Sequence, residues 1–188
     1  KYMVDLGTAS IAAHAVGTAL FSLSFAAPFA VGNLATTVIG QCVGGDRRDL
    51  ARWYGKKLIY LSTALLLVSL AVFIPLMPWL LGFFNPDPDT VPLIMRLMWI
   101  GMIPMPFFWP MSNVMPYTLR SAGDAAYSSV VSLITMWLIR VGAGYVAAVP
   151  MGFGVEGVWV CMSLEWVLRT ILFWLRFKGN AWLSKHTI

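Results

Sequence analysis

Between Ser128 and Phe177 the chain offers two apolar runs, 128–149 and 155–177, separated only by the breaker-rich PMGFG at 150–154. Each run is long enough to cross a hydrocarbon core of about 30 Å as a helix rising about 1.5 Å per residue. So short a connection makes them an antiparallel hairpin. Each nevertheless carries charge deep inside. Arg140 lies about 18 Å along the first run and Glu165 about 15 Å along the second, entered from the other side, so the two meet at one depth. Arg169 follows Glu165 at the i, i+4 spacing and shares its helix face. Charges at mid-membrane cost roughly 2.5–3.5 kcal/mol each on insertion scales and persist where they pair or face a polar cavity. A cluster of Arg140, Glu165 and Arg169 is predicted.

The remaining sequence has the same character. With 59% hydrophobic and 11% charged residues, and apolar residues in long blocks, the fold class is all-α: a polytopic membrane helical bundle of five transmembrane helices, read as one domain over 1–188. Helix A is predicted over 11–40, long and bent at Gly17, Pro28 or Gly32. A short surface helix capped by Asp46 follows, ending near Lys56 and Lys57. Helix B spans 58–84, loosened by Pro75 and Pro78, and helix C spans 91–119 with Pro104, Pro106, Pro110 and Pro116 inside it. In a bundle, neighbouring groups can satisfy the carbonyls that such prolines leave without donors. Gly123 suits a C-terminal cap and Asp124 an N-terminal one before helices D (128–149) and E (155–177).

The bases set the orientation. Against 8 Asp and Glu the chain has 13 Lys and Arg. Arg47, Arg48, Arg52, Lys56, Lys57, Arg120, Arg176, Lys178 and Lys185 fall at one end of the helices, whereas Lys1 and Arg96 stand beside Asp5, Asp87 and Asp89 at the other. By the positive-inside rule the C-terminus is cytoplasmic, in the plasma membrane, and the basic charge reports topology. No nucleic-acid partner is expected, because aromatics and bases do not interleave as in a nucleic-acid groove. Cys42 and Cys161 are too far apart for a metal site or disulfide framework, and no metal or other cofactor is expected. GxSxG, HExxH and phosphate-cradling glycine loops are missing, which argues against an enzyme. The chain opens at Lys1 in mid-pattern, as the tail of something longer would.

Each candidate has a bland reading beside the functional one. Arg140, Glu165 and Arg169 either couple transport to an ion or form a static ion pair fixing helices D and E. At about 100° per residue, Met95, Met98, Met102, Met105, Trp109, Asn113 and Pro116 share one face of helix C. Flexible methionines suit a cavity accepting varied amphipathic ligands, but ordinary helix packing makes the same stripe. Asn113 either touches substrate or bonds between helices. Gln41, between Gly40 and Gly44, marks a hinge or a close helix crossing.

Several landmarks then occur together as in a known family. GQCVGGDRRDLARWYGKK resembles the GQ-x-x-G motif and following basic stretch of multidrug and toxic compound extrusion (MATE) transporters, and LRSAGDA is similar to that family's LRGAGDT turn. MWLIRVGAGY and GVEGVWVCMSLEWVLRTILFWLRFKGNAW resemble the last two helices of one bacterial branch, in which Asp stands at the place of Glu165. Ser121 and Ala125 replace the usual Gly and Thr of the turn. In another branch an acidic residue precedes that turn on its helix; here the neighbourhood holds Trp109 and Pro110, so that branch's cation site is not carried over.

The resemblance implies the C-terminal part of a carrier of two six-helix lobes, whose N-terminal lobe lies outside this chain. It further implies an antiporter exporting cationic or amphipathic compounds in exchange for Na⁺ or H⁺ by alternating access. Partners would be the bilayer, such a small molecule and the absent lobe; the five helices alone would not transport. A lipid-linked precursor flippase of the same superfamily, which would need a more cationic cavity, a non-transporting membrane scaffold and an unmarked membrane enzyme are the rivals.

Overall fold

A computed structural model describes residues 8–179 and 181–183, so Lys1, Asp5 and Lys185 lie outside the described residues. Helix A of the sequence is two elements, α1 (Thr8–Ser24) and α2 (Ala26–Gly44), parted at Phe25. Pro28 is the cause: lacking an N–H, it cannot take the Ser24 carbonyl four residues earlier. Ser69 Oγ, on α3 (Arg48–Phe84), donates to that carbonyl at 2.7 Å, and Ser62 Oγ donates to the Pro28 carbonyl at 3.4 Å. Gly17 and Gly32 are not bend points. They admit rings: a Cβ at Gly32 would stand 2.8 Å from Tyr117 and one at Gly17 3.2 Å from Trp159.

The surface helix expected before helix B is not separate. It is the beginning of α3, whose 37 residues run about 55 Å and so project past a core of about 30 Å. Gly55 does not interrupt it, because that position accommodates the Phe177 ring, 3.0 Å from where a Cβ would be. Nor does Asp46 cap it. The cap position is Arg47, while Asp46 has φ +53 and pairs with Arg48 at 3.1 Å.

The proline-rich helix C is α4 (Val91–Met102) and α5 (Met105–Ser121), bent by 64° at the break. Pro104 deprives the Ile100 carbonyl of its partner, and Ser163 Oγ donates to it from α8 (Gly154–Lys178) at 3.3 Å. Gly123, at φ +88, ends the following turn with its N–H on the Arg120 carbonyl. Then α6 (Ala125–Thr135), a π-helical segment (Met136–Ala143) and α7 (Gly144–Ala148) form one span antiparallel to α8.

Among the described residues, four spans are long and apolar enough to cross a membrane, and the bent α4–α5 pair makes up to five. The chain is an all-α, multi-pass membrane bundle. α8 lies at its centre, packed on α4, α5, α6, the π segment and α7, while α2 packs on α3 and α5 and α1 on α3 and α4. One core cluster gathers Phe21, Met98, Met102, Met105, Trp109, Trp159 and Trp166; a second, at the basic end, gathers Ile39, Met115, Leu119, Phe173, Phe177 and Trp182. Leu67, Val68, Val72, Leu133 and Leu138 remain exposed, an exterior suited to lipid.

Candidate functional site: a buried carboxylate between two arginines

Glu165 is fully buried in the middle of α8. Its Oε1 lies 2.8 Å from Arg169 Nη2 and its Oε2 lies 2.7 Å from Arg140 Nε. The sequence-predicted cluster is assembled as a unit, with one carboxylate between two guanidiniums. Counted in their charged forms, the three side chains sum to +1.

The two arginines are held differently. Arg169 is 14% exposed, and it also donates from Nε to Thr135 Oγ1 and from Nη2 to the Ser132 carbonyl, both at 2.8 Å. Arg140 is 41% exposed, and neither its Nε nor the Glu165 oxygens has hydrogen-bond geometry despite the short separations. Arg169 is anchored to α6 by directional bonds. Among the described residues, the polar contact of Arg140 is its ion pair with Glu165.

Thr135 and Arg140 both engage the Glu165 and Arg169 pair, although they are five residues apart. At about 100° per residue an α-helix would set them roughly 140° apart, on different faces. An i→i+5 ladder places residues five apart about one turn apart on the same side, and the π segment supplies that ladder here. None of its eight residues is fully buried, although the segment packs on α8. The expectation of a uniform helix D over 128–149 is corrected on this point.

The other candidates are not brought to this cluster. Met98, Met102, Met105 and Trp109 are buried in the first core cluster, and Trp109 stacks on Phe25 at 5.4 Å. They pack against neighbouring helices and present no free surface. Asn113 is half-buried and donates to the Trp109 carbonyl of its own helix at 3.1 Å. Gln41 is exposed near the end of α2, where its carbonyl accepts from Gly45 at 3.0 Å.

Sequence reasoning missed a second buried charge pair. Asp124 does not cap α6 with its side chain; it is fully buried and its Oδ2 accepts from Arg176 Nε at 2.6 Å. The Tyr127 ring lies 4.7 Å from the Arg176 guanidinium, and the Tyr127 hydroxyl donates to the Leu172 carbonyl at 3.1 Å. Tyr127, three residues after a lone acid at a helix start, was the available signal. His14 likewise has a partner, accepting at Nδ1 from Trp159 Nε1 at 3.1 Å.

Comparison with known proteins bears on what such a bundle does. The "Uncharacterized transporter YisQ" of Bacillus subtilis is 28% identical over 149 residues, which cover 79% of this chain and 32% of that protein. The "Probable multidrug resistance protein NorM" of Thermotoga maritima is 25% identical over 184 residues, 97% of this chain and 39% of the relative. "Protein DETOXIFICATION 38" of Arabidopsis thaliana is 25% identical over 197 residues, 96% of this chain and 37% of the relative. The chain therefore spans about a third to two-fifths of the length of these curated relatives. No solved structure gives a significant match. The sequence pattern of the MatE family matches residues 2–146, most of the chain, and the protein belongs to that family.

Proposed function

We propose that the chain is part of a secondary antiporter that exports cationic or amphipathic compounds in exchange for Na⁺ or H⁺ by alternating access. It sits in the plasma membrane with its C-terminus in the cytoplasm. The observation that carries the reading is Glu165, fully buried and paired on one side with a partly exposed arginine whose contact lacks hydrogen-bond geometry. Family membership and the names of relatives called multidrug resistance proteins support the transport class.

In exchange, a mid-membrane carboxylate takes an internal cation in one state and a transported cation in another. Arg169 stays on α6 through Thr135 and Ser132 and fixes one edge of Glu165. Arg140 leaves Oε2 when the π segment tightens into α-helix, which opens that oxygen to Na⁺, H⁺ or a cationic substrate. A ligand that pairs with Glu165 only in the open arrangement shifts the population toward it.

The test is fluorescent-cation export by the full-length protein in proteoliposomes. Export under an imposed Na⁺ or H⁺ gradient, and not without one, is the expected result; export indifferent to both gradients sinks the antiport reading. The surplus positive charge of the cluster favours one second reading, a flippase for lipid-linked anionic precursors. Flipping of such a lipid by vesicles that fail to move the cation would establish it instead.

A further inference from the structure

We propose that the groove between α3, α5 and α8 at the basic end holds the phosphate and glycerol of one anionic phospholipid. The groove is lined by Lys56, Ile59, Tyr60, Met111 and Trp174 and encloses about 190 Å³. That is below the ~300–1,000 Å³ of a drug-sized pocket, yet it holds several water-sized groups of about 30 Å³ each. Its rim is cationic. Lys56 lines it directly, and the Lys178 ammonium stands 5.9 Å from the Trp174 ring that forms one wall.

Neither lysine is committed elsewhere, since Lys56 and Lys178 make no ion pair among the described residues. Asp46 is paired with Arg48 and Asp124 with Arg176. Among the described residues, no acidic side chain lines the groove. A site with cations, no counter-charge and an apolar floor of Ile59 and Met111 is complementary to a phosphate on an acyl-bearing glycerol.

Its depth is that of lipid headgroups. Lys56 and Lys57 are the last charged residues of α3 before its uncharged, mainly apolar stretch to Phe84. Tyr60 and Trp174, side chains that favour the headgroup level, flank the opening. Leu67, two turns beyond Tyr60, and Ile171, one turn before Trp174, are both exposed and carry an apolar surface toward mid-membrane for the acyl chain. This assignment is independent of any transport role.

Native mass spectrometry of the detergent-purified full-length protein, titrated with phosphatidylglycerol or phosphatidylcholine, tests it. Phosphatidylglycerol should be retained in preference, with Lys56→Gln plus Lys178→Gln weakening retention roughly 30-fold and Lys56→Arg restoring the Lys56 share. Lys57→Gln is the control, because its ammonium lies 5.4 Å from Trp53 and away from the groove; retention should change by less than about threefold. Equal retention of the two lipids would overturn the proposal, as would a Lys57→Gln loss matching that of Lys56→Gln. So would displacement by millimolar inorganic phosphate, which marks a free-anion site, or no loss in the double variant, which marks a groove covered by the rest of the protein.

Discussion

At the scale of single residues, the three members of the charge cluster are not equivalent. Arg169 has three partners and little exposure, so Arg169→Met leaves Glu165 buried and half-paired and strips Thr135 and Ser132 of their donor. A loss of about 3–5 kcal/mol is expected. Arg140→Met removes one undirected charge contact of a side chain that is 41% exposed, and about 1–2 kcal/mol is expected. Thermal unfolding in detergent measures both. The ranking fails if Arg140→Met is the more damaging. Asp124→Asn provides a comparison outside the cluster: it unpairs Arg176 at the basic end and should cost about 3 kcal/mol while leaving substrate binding unchanged in a binding assay.

At the scale of elements, two departures from plain helices are explained by carbonyls and hydroxyls. Ser69 and Ser163 occupy the carbonyls that Pro28 and Pro104 cannot serve, so Ser69→Ala should lower stability by about 1–2 kcal/mol in the same unfolding assay. The π segment has a different logic, since it aligns Thr135 and Arg140 on α8. Deleting Gly142 removes the extra residue that an i→i+5 turn accommodates and returns the segment to α-helix. The expected result is a folded protein in which Arg140→Met no longer costs anything further, read from a double-mutant cycle. The full Arg140→Met penalty in the deletion background would refute this role.

Much of this was legible from spacing alone. Equal depth on the two runs located Arg140 against Glu165, and i, i+4 placed Arg169 beside it. The π segment was not legible, because MWLIRVGA carries no local signal and the cause lies across the interface on α8. The methionine stripe was ambiguous in principle: a helix face of Met98, Met102 and Met105 reads the same whether a cavity or α1 and α8 covers it. Asp46 and Asp124 were read as caps from local preference, and charge partners overrode that preference in both. The break between α1 and α2 followed from Pro28, but the boundary of α3 did not, because a buried Phe177 ring explains its glycine.

At the scale of the whole molecule, the chain provides a bundle whose outer faces are apolar and whose buried charges lie on α8 and its neighbours. Since it spans 32–39% of the three relatives described, the isolated chain reconstituted in liposomes should transport nothing. Orientation is accessible separately. With Cys42 and Cys161 replaced and a single cysteine at Lys178, an impermeant maleimide should label inside-out vesicles and not intact cells; the reverse would invert the topology. The most direct measurement is gradient-driven cation export by full-length protein carrying Glu165→Gln or Glu165→Asp, at matched expression and folding. Export abolished by Gln and kept within about tenfold by Asp is the predicted pair of results; wild-type export by the Gln variant would contradict it and leave Glu165 a purely structural group.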